Sequence, residues 1–312
     1  MDMNDKLHGG MIGLAVGDAL GMPYETGARG SFDIYADVID PITGSYKMTA
    51  YQKGMPAYWY GESMPEGCWT DDTAMTLAEI ESIARLGRID PEDIVQNFCR
   101  WNYEGAFSAT GIAIGQGKQT IRALERYQNG TPAINCGGAT KRDNGDGSLM
   151  RMIPFVFCEE MLAELGVTIG NLSSITHAHP ISIKACEIYI DFARELLRSN
   201  SIAAACEVLK NLPEPYNRLY SIQSLTEKDI NSSGYVVHAW EAALWSFLTT
   251  NDYSDCVLKA ISLGGDTDTI AAITGSLAGL YYGIEAIPKS WREALCSKDI
   301  IDSLTDDFCN VI

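Results

Sequence analysis

Glycine recurs at every fourth position in two stretches near opposite ends of the chain: Gly13, Gly17 and Gly21 in the first, Gly275, Gly279 and Gly283 in the second. Positions four apart share one face of an α-helix. A glycine inside a helix costs about 1 kcal/mol relative to alanine, so a whole stripe of them makes sense where a neighbouring helix must approach unusually closely. The spacing therefore predicts two helices at the centre of the molecule, with packing against one another as the simplest arrangement.

Two short acidic segments lie about two hundred residues apart, Trp69-Thr70-Asp71-Asp72-Thr73 and Gly264-Gly265-Asp266-Thr267-Asp268-Thr269. Each puts two carboxylates and flanking hydroxyls into one turn where a helix begins. One such turn is ordinary capping and macrodipole chemistry. Two of them, each with more acid than a cap needs, favour a second reading. Crowded carboxylates raise one another's pKa unless a cation sits between them, and carboxylates, threonine hydroxyls and waters suit Mg²⁺ or Mn²⁺. Facing turns would hold two ions roughly 3.5–4 Å apart. The candidate ligands are Thr70, Asp71, Asp72, Asp266, Asp268 and Thr269.

The remaining sequence is dominated by helical periodicity: Ile114 to Tyr127, Leu149 to Leu165, Ile181 to Leu197, Ile202 to Leu209, Val236 to Leu248, Val257 to Leu263 and Thr269 to Tyr282. No stretch sustains the alternation of a half-buried strand. The expectation is an all-α fold: one compact multi-helix domain spanning residues 1–312, with the two acidic helix N-termini at a central cleft. Residues 23–67, broken by Pro41, Pro56 and Pro65, form the irregular exception, a lid-like loop whose Tyr51, Tyr58, Trp59 and Tyr60 either line a ligand cleft or anchor the loop. Gly117-Lys118 resembles a phosphate loop only faintly, because Ile112 and Gln119 occupy positions that the motif reserves for glycine and a hydroxyl residue. Asn144-Gly145-Asp146-Gly147-Ser148 precedes a predicted helix at Leu149, so its backbone N–H groups are candidates for an anion nest.

With 41 acidic against 23 basic residues, a formal charge of −18, the chain lacks the basic footprint of a nucleic-acid or anionic-membrane binder. Nine scattered cysteines without a Cys-x-x-Cys pair suggest reduced thiols, an acidic N-terminus is unlike a signal peptide, and Asp18 interrupts an apolar run too short to span a bilayer. A cytoplasmic location is expected.

Five segments together, Gly17-Asp18-Ala19-Leu20-Gly21, Trp69-Thr70-Asp71-Asp72-Thr73, Gly147-Ser148-Leu149-Met150-Arg151, Ser233-Gly234-Tyr235-Val236-Val237 with Glu241-Ala242-Ala243-Leu244-Trp245, and Gly264 to Thr269, resemble the ADP-ribosylglycohydrolases in order and over nearly the whole chain. The resemblance implies an all-α, Mg²⁺- or Mn²⁺-dependent hydrolase with two divalent cations. It would cleave the glycosidic bond at C1″ of an ADP-ribosyl group carried by a protein side chain or a small acceptor. Carried over residue by residue, it implies that Glu25 reaches the metal site from the loop and that Asp72 or Glu25 orients or deprotonates the water. It further implies that Gly145, Gly147 and Ser148 hold the diphosphate, that His177 touches the diphosphate or ribose, and that Tyr235 places a ring near the ligand. In arginine-specific members an aspartate stands where this chain has Ala113, and Asp146 replaces a residue that is often asparagine. Two other readings remain open at this point: a relative that binds ADP-ribose or serves structurally without catalysis, and a different two-metal hydrolase acting on, for instance, a phosphate ester.

Overall fold

The computed structural model describes residues 2–52, 55–57 and 63–312. Its first helix, α1 (Met3–Gly21), is buried without interruption from Gly9 to Gly21. Such a helix needs neighbours on every side. The remaining helices are α2 (Ile34–Val38), α3 (Asp71–Leu86), α4 (Pro91–Glu104), α5 (Lys118–Gln128), α6 (Ile153–Val156), α7 (Glu159–Leu165), α8 (Ile169–Ser174), α9 (Pro180–Ser199), α10 (Ile202–Glu207), α11 (Val236–Leu248), α12 (Tyr253–Ser262), α13 (Thr267–Tyr282), α14 (Lys289–Ala294) and α15 (Lys298–Cys309). Among the described residues there is no strand, only three isolated bridges.

The predicted central pair is α1 and α13, which run antiparallel with their backbones in contact. A Cβ placed on Gly9, Gly13, Gly17 or Gly21 would lie 2.3, 2.3, 2.1 and 2.4 Å from the carbonyl oxygens of Gly279, Gly275, Ala271 and Thr267 respectively. No side chain fits between the helices at these four levels. The hydroxyl of Tyr253 on α12 donates to Gly13 O at 2.7 Å, and Thr267 Oγ1 donates to Gly21 O at 2.8 Å, so polar groups also close the seam. Helices α3, α6, α9, α11, α12 and α15 surround this pair to form a single compact domain.

Two helical expectations need correction. Leu149 to Leu165 is not one helix but a 3₁₀ turn (Leu149–Arg151) followed by α6 and α7. Pro154 supplies no N–H and fits only an opening helical turn. The segment before α5 stays irregular as far as Gly117, with Gly115 at φ +82°.

The irregular region after α1 is tied down where it approaches α13. Thr26 N donates to Gly265 O at 2.6 Å, Gly265 N donates to Gly27 O at 2.8 Å, and the Arg29 guanidinium reaches the carbonyls of Leu263, Glu227 and Ile230. Gly264 and Gly265 both have positive φ, and a Cβ on them would fall 2.5 Å from Gly27 O and 1.9 Å from Ser232 O. Tyr51 is buried in the core rather than exposed to a cleft. Tyr58, Trp59 and Tyr60 lie outside the described residues.

The seam predicts its own sensitivity. Gly13→Ala drives a methyl into Gly275 O, and overpacking of this kind costs roughly 1–3 kcal/mol or more. A fall in melting temperature of several degrees is expected by calorimetry; an unchanged value would show that the helices separate without cost.

Candidate metal centre

Helices α3 and α13 begin at the same place in the molecule, and neither start is capped by its own side chain. Thr70 and Asp266 occupy the N-cap positions without a capping hydrogen bond. The amides of α3 are satisfied from another helix. Asp18, in the last turn of α1, accepts from Thr70 N at 3.0 Å, Thr70 Oγ1 at 2.9 Å, Thr73 N at 3.0 Å and Thr73 Oγ1 at 2.6 Å. This releases the acids of the turn from capping duty. Thr70 Oγ1 also lies 3.1 Å from Asp72 Oδ2, while Asp72 Oδ1 is buried with no partner.

From the other side, carboxylate oxygens of Glu25, Asp266 and Asp268 come within 4.8 Å of one another. Glu25 is delivered by the pairing of Thr26 and Gly27 with Gly265. Asp266 lies within hydrogen-bonding reach of Asp146, Asp268 and Thr269. Two carboxyl groups in such contact need a shared proton or a cation between them. Asp146 Oδ2 is a second buried oxygen without a partner. Asp71 Oδ1 rests against Gly115, where a Cβ would sit 2.2 Å away. Thus all six predicted ligands, with Glu25, are brought to one locus.

Burial pushes six carboxyl groups of the cluster upward: Asp71, Asp72, Asp146 and Asp268 well above the usual range, Asp266 above it, and Asp18 to about 6 against the pull of its four donors. Neighbouring acids add to burial, Asp18 and Glu25 on Asp71, Asp266 and Asp72 on Asp268. The partnerless oxygens and the all-oxygen donor set fit a hard divalent cation.

The cluster borders a cavity of about 510 Å³ lined by Glu25, Met64, Ala113 to Gly117 and Lys118. The predicted ligand-binding residues lie beside Asp146. Gly145 bridges Tyr235, Gly138 bridges His177, and Val236 N donates to Asn144 O at 3.1 Å, which gathers Gly145, Gly147, His177 and Tyr235. A Cβ on Gly147 would touch the His177 ring at 2.8 Å, and one on Gly234 would meet Asp266 Oδ2 at 2.6 Å. Tyr235 is half-buried with its ring edge-on to His238. The Ser148 hydroxyl points inward to Ser173 Oγ at 2.9 Å, and the amides of Leu149 and Met150 are taken by Asp146 O. The expected nest at a helix N-terminus is therefore reduced to the backbone from Gly145 to Ser148.

Sequence reasoning passed over Asp18 and Asp146 as site residues. Asp18 carried a signal, the one charged residue in the buried stretch from Gly9 to Gly21. Asp146 carried none beyond its place between two glycines.

A model of the ADP-ribosylglycohydrolase family matches residues 1–312. The chain is 30% identical over 308 residues to a protein of Serratia proteamaculans (strain 568) named ADP-ribosylarginine hydrolase Tri1, covering 97% of this chain and 78% of the relative. It is 27% identical to the ADP-ribosyl-[dinitrogen reductase] glycohydrolase of Rhodospirillum rubrum, covering 95% and 92%. A solved structure titled ADP-ribosylglycohydrolase-related protein complex superposes with a TM-score of 0.74 at 28% identity, over 99% of this chain and 98% of the other.

The raised carboxyl groups predict an inverted pH response. Between the ordinary carboxylate range and the raised one the folded state holds protons that the unfolded chain has lost, so stability falls as pH rises. His177, lowered to about 3 by burial and Arg151, and His238, lowered by burial and Arg218, oppose this, but they are outnumbered by the six raised carboxyl groups. In chelator, the melting temperature should rise as pH falls from about 8 to about 5, and Mg²⁺ should flatten that slope by binding the ionised cluster. A chelated protein most stable at the alkaline end would contradict the burial-driven shifts.

Proposed function

The chain belongs to the ADP-ribosylglycohydrolase family, and from that premise we propose that its acidic centre holds two divalent cations, Mg²⁺ or Mn²⁺, for cleavage at C1″ of an ADP-ribosyl group. The enzyme is an ADP-ribosyl glycohydrolase, and its substrate is an ADP-ribosylated protein or a small conjugate. The observation that carries the reading is the meeting of two helix starts that leave their own acids uncapped, beside a cavity wide enough for a sugar. Thr70, Asp71, Asp72, Asp266, Asp268 and Thr269 are assigned as ligands, with Glu25 completing the set from the cavity side.

Bound cations would supply positive charge to the ribose hydroxyls and to a water as oxocarbenium character develops. Asp72 and Glu25 are the groups assigned to orient that water or take its proton. Asp18 contributes by geometry, holding the Thr70–Thr73 turn in place. Gly145, Gly147, His177 and Tyr235 are assigned to the diphosphate and ribose side, and Ser148 only through its backbone. No helix among the described residues is long and apolar enough to cross a membrane. With all nine cysteines unpaired, a cytoplasmic location fits a reducing compartment.

Asp268→Asn keeps the volume and a cap-competent side chain yet removes a charge that the cations need. A near-native melting temperature, loss of Mg²⁺ stabilisation and a fall in hydrolysis of at least about a hundredfold, on the order of 2.7 kcal/mol, are expected. Wild-type turnover in the mutant would return Asp268 to the role of a first-turn acid.

Ala113 lies in the cavity wall together with Glu25. It can neither protonate the ring nor orient a hydroxyl, so the linkage preference must come from Glu25 and the cations. This suits oxygen-linked ADP-ribose at least as well as the nitrogen linkage named for Tri1. Ala113→Asp is expected to change the ratio of kcat/KM on arginine-linked and serine-linked substrates by less than about tenfold, on the order of 1.4 kcal/mol. A large new arginine activity would make position 113 the specificity switch.

A further inference from the structure

Glu79, two turns beyond Asp72 on α3, and Arg151 form an ion pair with no solvent exposure. Arg151 lies over the Phe98 ring at 4.9 Å, and its second nitrogen donates to Leu172 O and to Thr176 Oγ1, both at 3.1 Å. Thr176 Oγ1 is in turn 2.9 Å from His177 Nδ1. This row of buried groups ends at the ring edge that faces Gly145 and Gly147.

The hydrogens along the row can be assigned by elimination. Arginine has no lone pair to offer, so Thr176 Oγ1 is the acceptor in its bond with Arg151. The hydroxyl has one hydrogen of its own, and in a fully buried site that hydrogen is spent on a partner. Among the described residues its remaining neighbour is His177 Nδ1, which must then present its lone pair. The imidazole proton is left on Nε2. Among the described residues Nε2 has no protein partner, and it lies 3.5 Å from where a Gly145 Cβ would be and 3.4 Å from a Gly147 Cβ.

We propose that Arg151 and Thr176 are positioning residues that lock His177 as the Nε2–H tautomer, making it a neutral hydrogen-bond donor to an anionic oxygen of the substrate in the Gly145–Gly147 cradle. An Nε2–H can be neither a cation ligand nor a base. The assignment of that oxygen to the ADP-ribosyl diphosphate rests on the function proposed above; the tautomer does not.

The test uses the Mg²⁺-loaded full chain with ¹⁵N-labelled histidine, long-range ¹H–¹⁵N spectra of its four histidines, and His177→Gln for assignment. Wild type should show His177 with an unprotonated Nδ1 and protonated Nε2. Thr176→Val should mix or invert the tautomers and weaken ADP-ribose binding, measured by calorimetry, by about tenfold, the scale of one hydrogen bond to a charged group. Thr176→Ser should restore both, which a purely packing role would not predict. A wild-type Nδ1–H signal, an unchanged tautomer in a folded Thr176→Val, or ADP-ribose that binds without shifting Nε2 would each overturn the proposal. If ADP-ribose does not bind wild type at all, the functional reading fails, and the tautomer spectra alone still decide the lock.

Discussion

Two helices touching through their backbones set the position of every group in the centre. Packed helices normally keep axes about 8–10 Å apart because side chains intervene. Along α1 and α13 the four glycine levels remove that layer, and each missing Cβ is replaced by a carbonyl of the partner. Because the pair is antiparallel, the last turn of α1 meets the first turn of α13. Asp18 and, one turn of chain later, Glu25 are thereby set beside Asp266 and Asp268. A wider seam would move both carboxylates away from α13 by the thickness of a side chain, more than ligand geometry tolerates.

That geometry is bought with electrostatic discomfort. The positive ends of α3 and α13 both point into the cluster, but a helix terminus offers only about half a unit charge. Seven carboxyl groups share the space, and burial raises those whose shifts are resolved. The fold compensates partially through Asp18, whose carboxylate satisfies amides and hydroxyls at the start of α3. It leaves the rest to protons or cations, which couples occupancy of the site to the stability of the whole chain.

The parts of this arrangement that were legible from sequence share a property: their signal is a spacing. Glycines four apart gave the central pair and its packing, and duplicated acidic turns located the two helix starts. Val236 to Leu248 came out as a helix with those bounds because its apolar period is unbroken. What was not legible depends on chain segments distant in sequence. The stretch from Leu149 to Leu165 carries a helical period, yet it is spent on short pieces that wrap the core. Pro154 was the available warning. Asp146 comes within reach of Asp266 where Gly234, without a side chain, leaves room for Asp266 Oδ2. Ser148 belongs to the recognised motif but serves the interior, bonded to Ser173.

Counting hydrogen-bond donors separates the acids by task. Asp18 accepts from four groups and has no lone-pair direction left facing the cavity, which marks a carboxylate used to build the turn. Asp72 and Asp146 each keep a buried oxygen without a protein donor, a cost of about 1–3 kcal/mol apiece if nothing else occupied that direction. A fold that invests four donors in one carboxylate while leaving its neighbours unsatisfied is organised around something outside the chain. A similar logic runs from Arg151 through Thr176 to His177, where the Thr176 hydroxyl accepts from the guanidinium and commits its hydrogen to Nδ1, leaving the ring Nε2–H facing the cradle. The acidic turns and the His177 edge thus call for partners of opposite character: positive charge at the turns, an anionic oxygen at His177. A sugar joined to a diphosphate, with cations over the sugar, presents those two partners in that order.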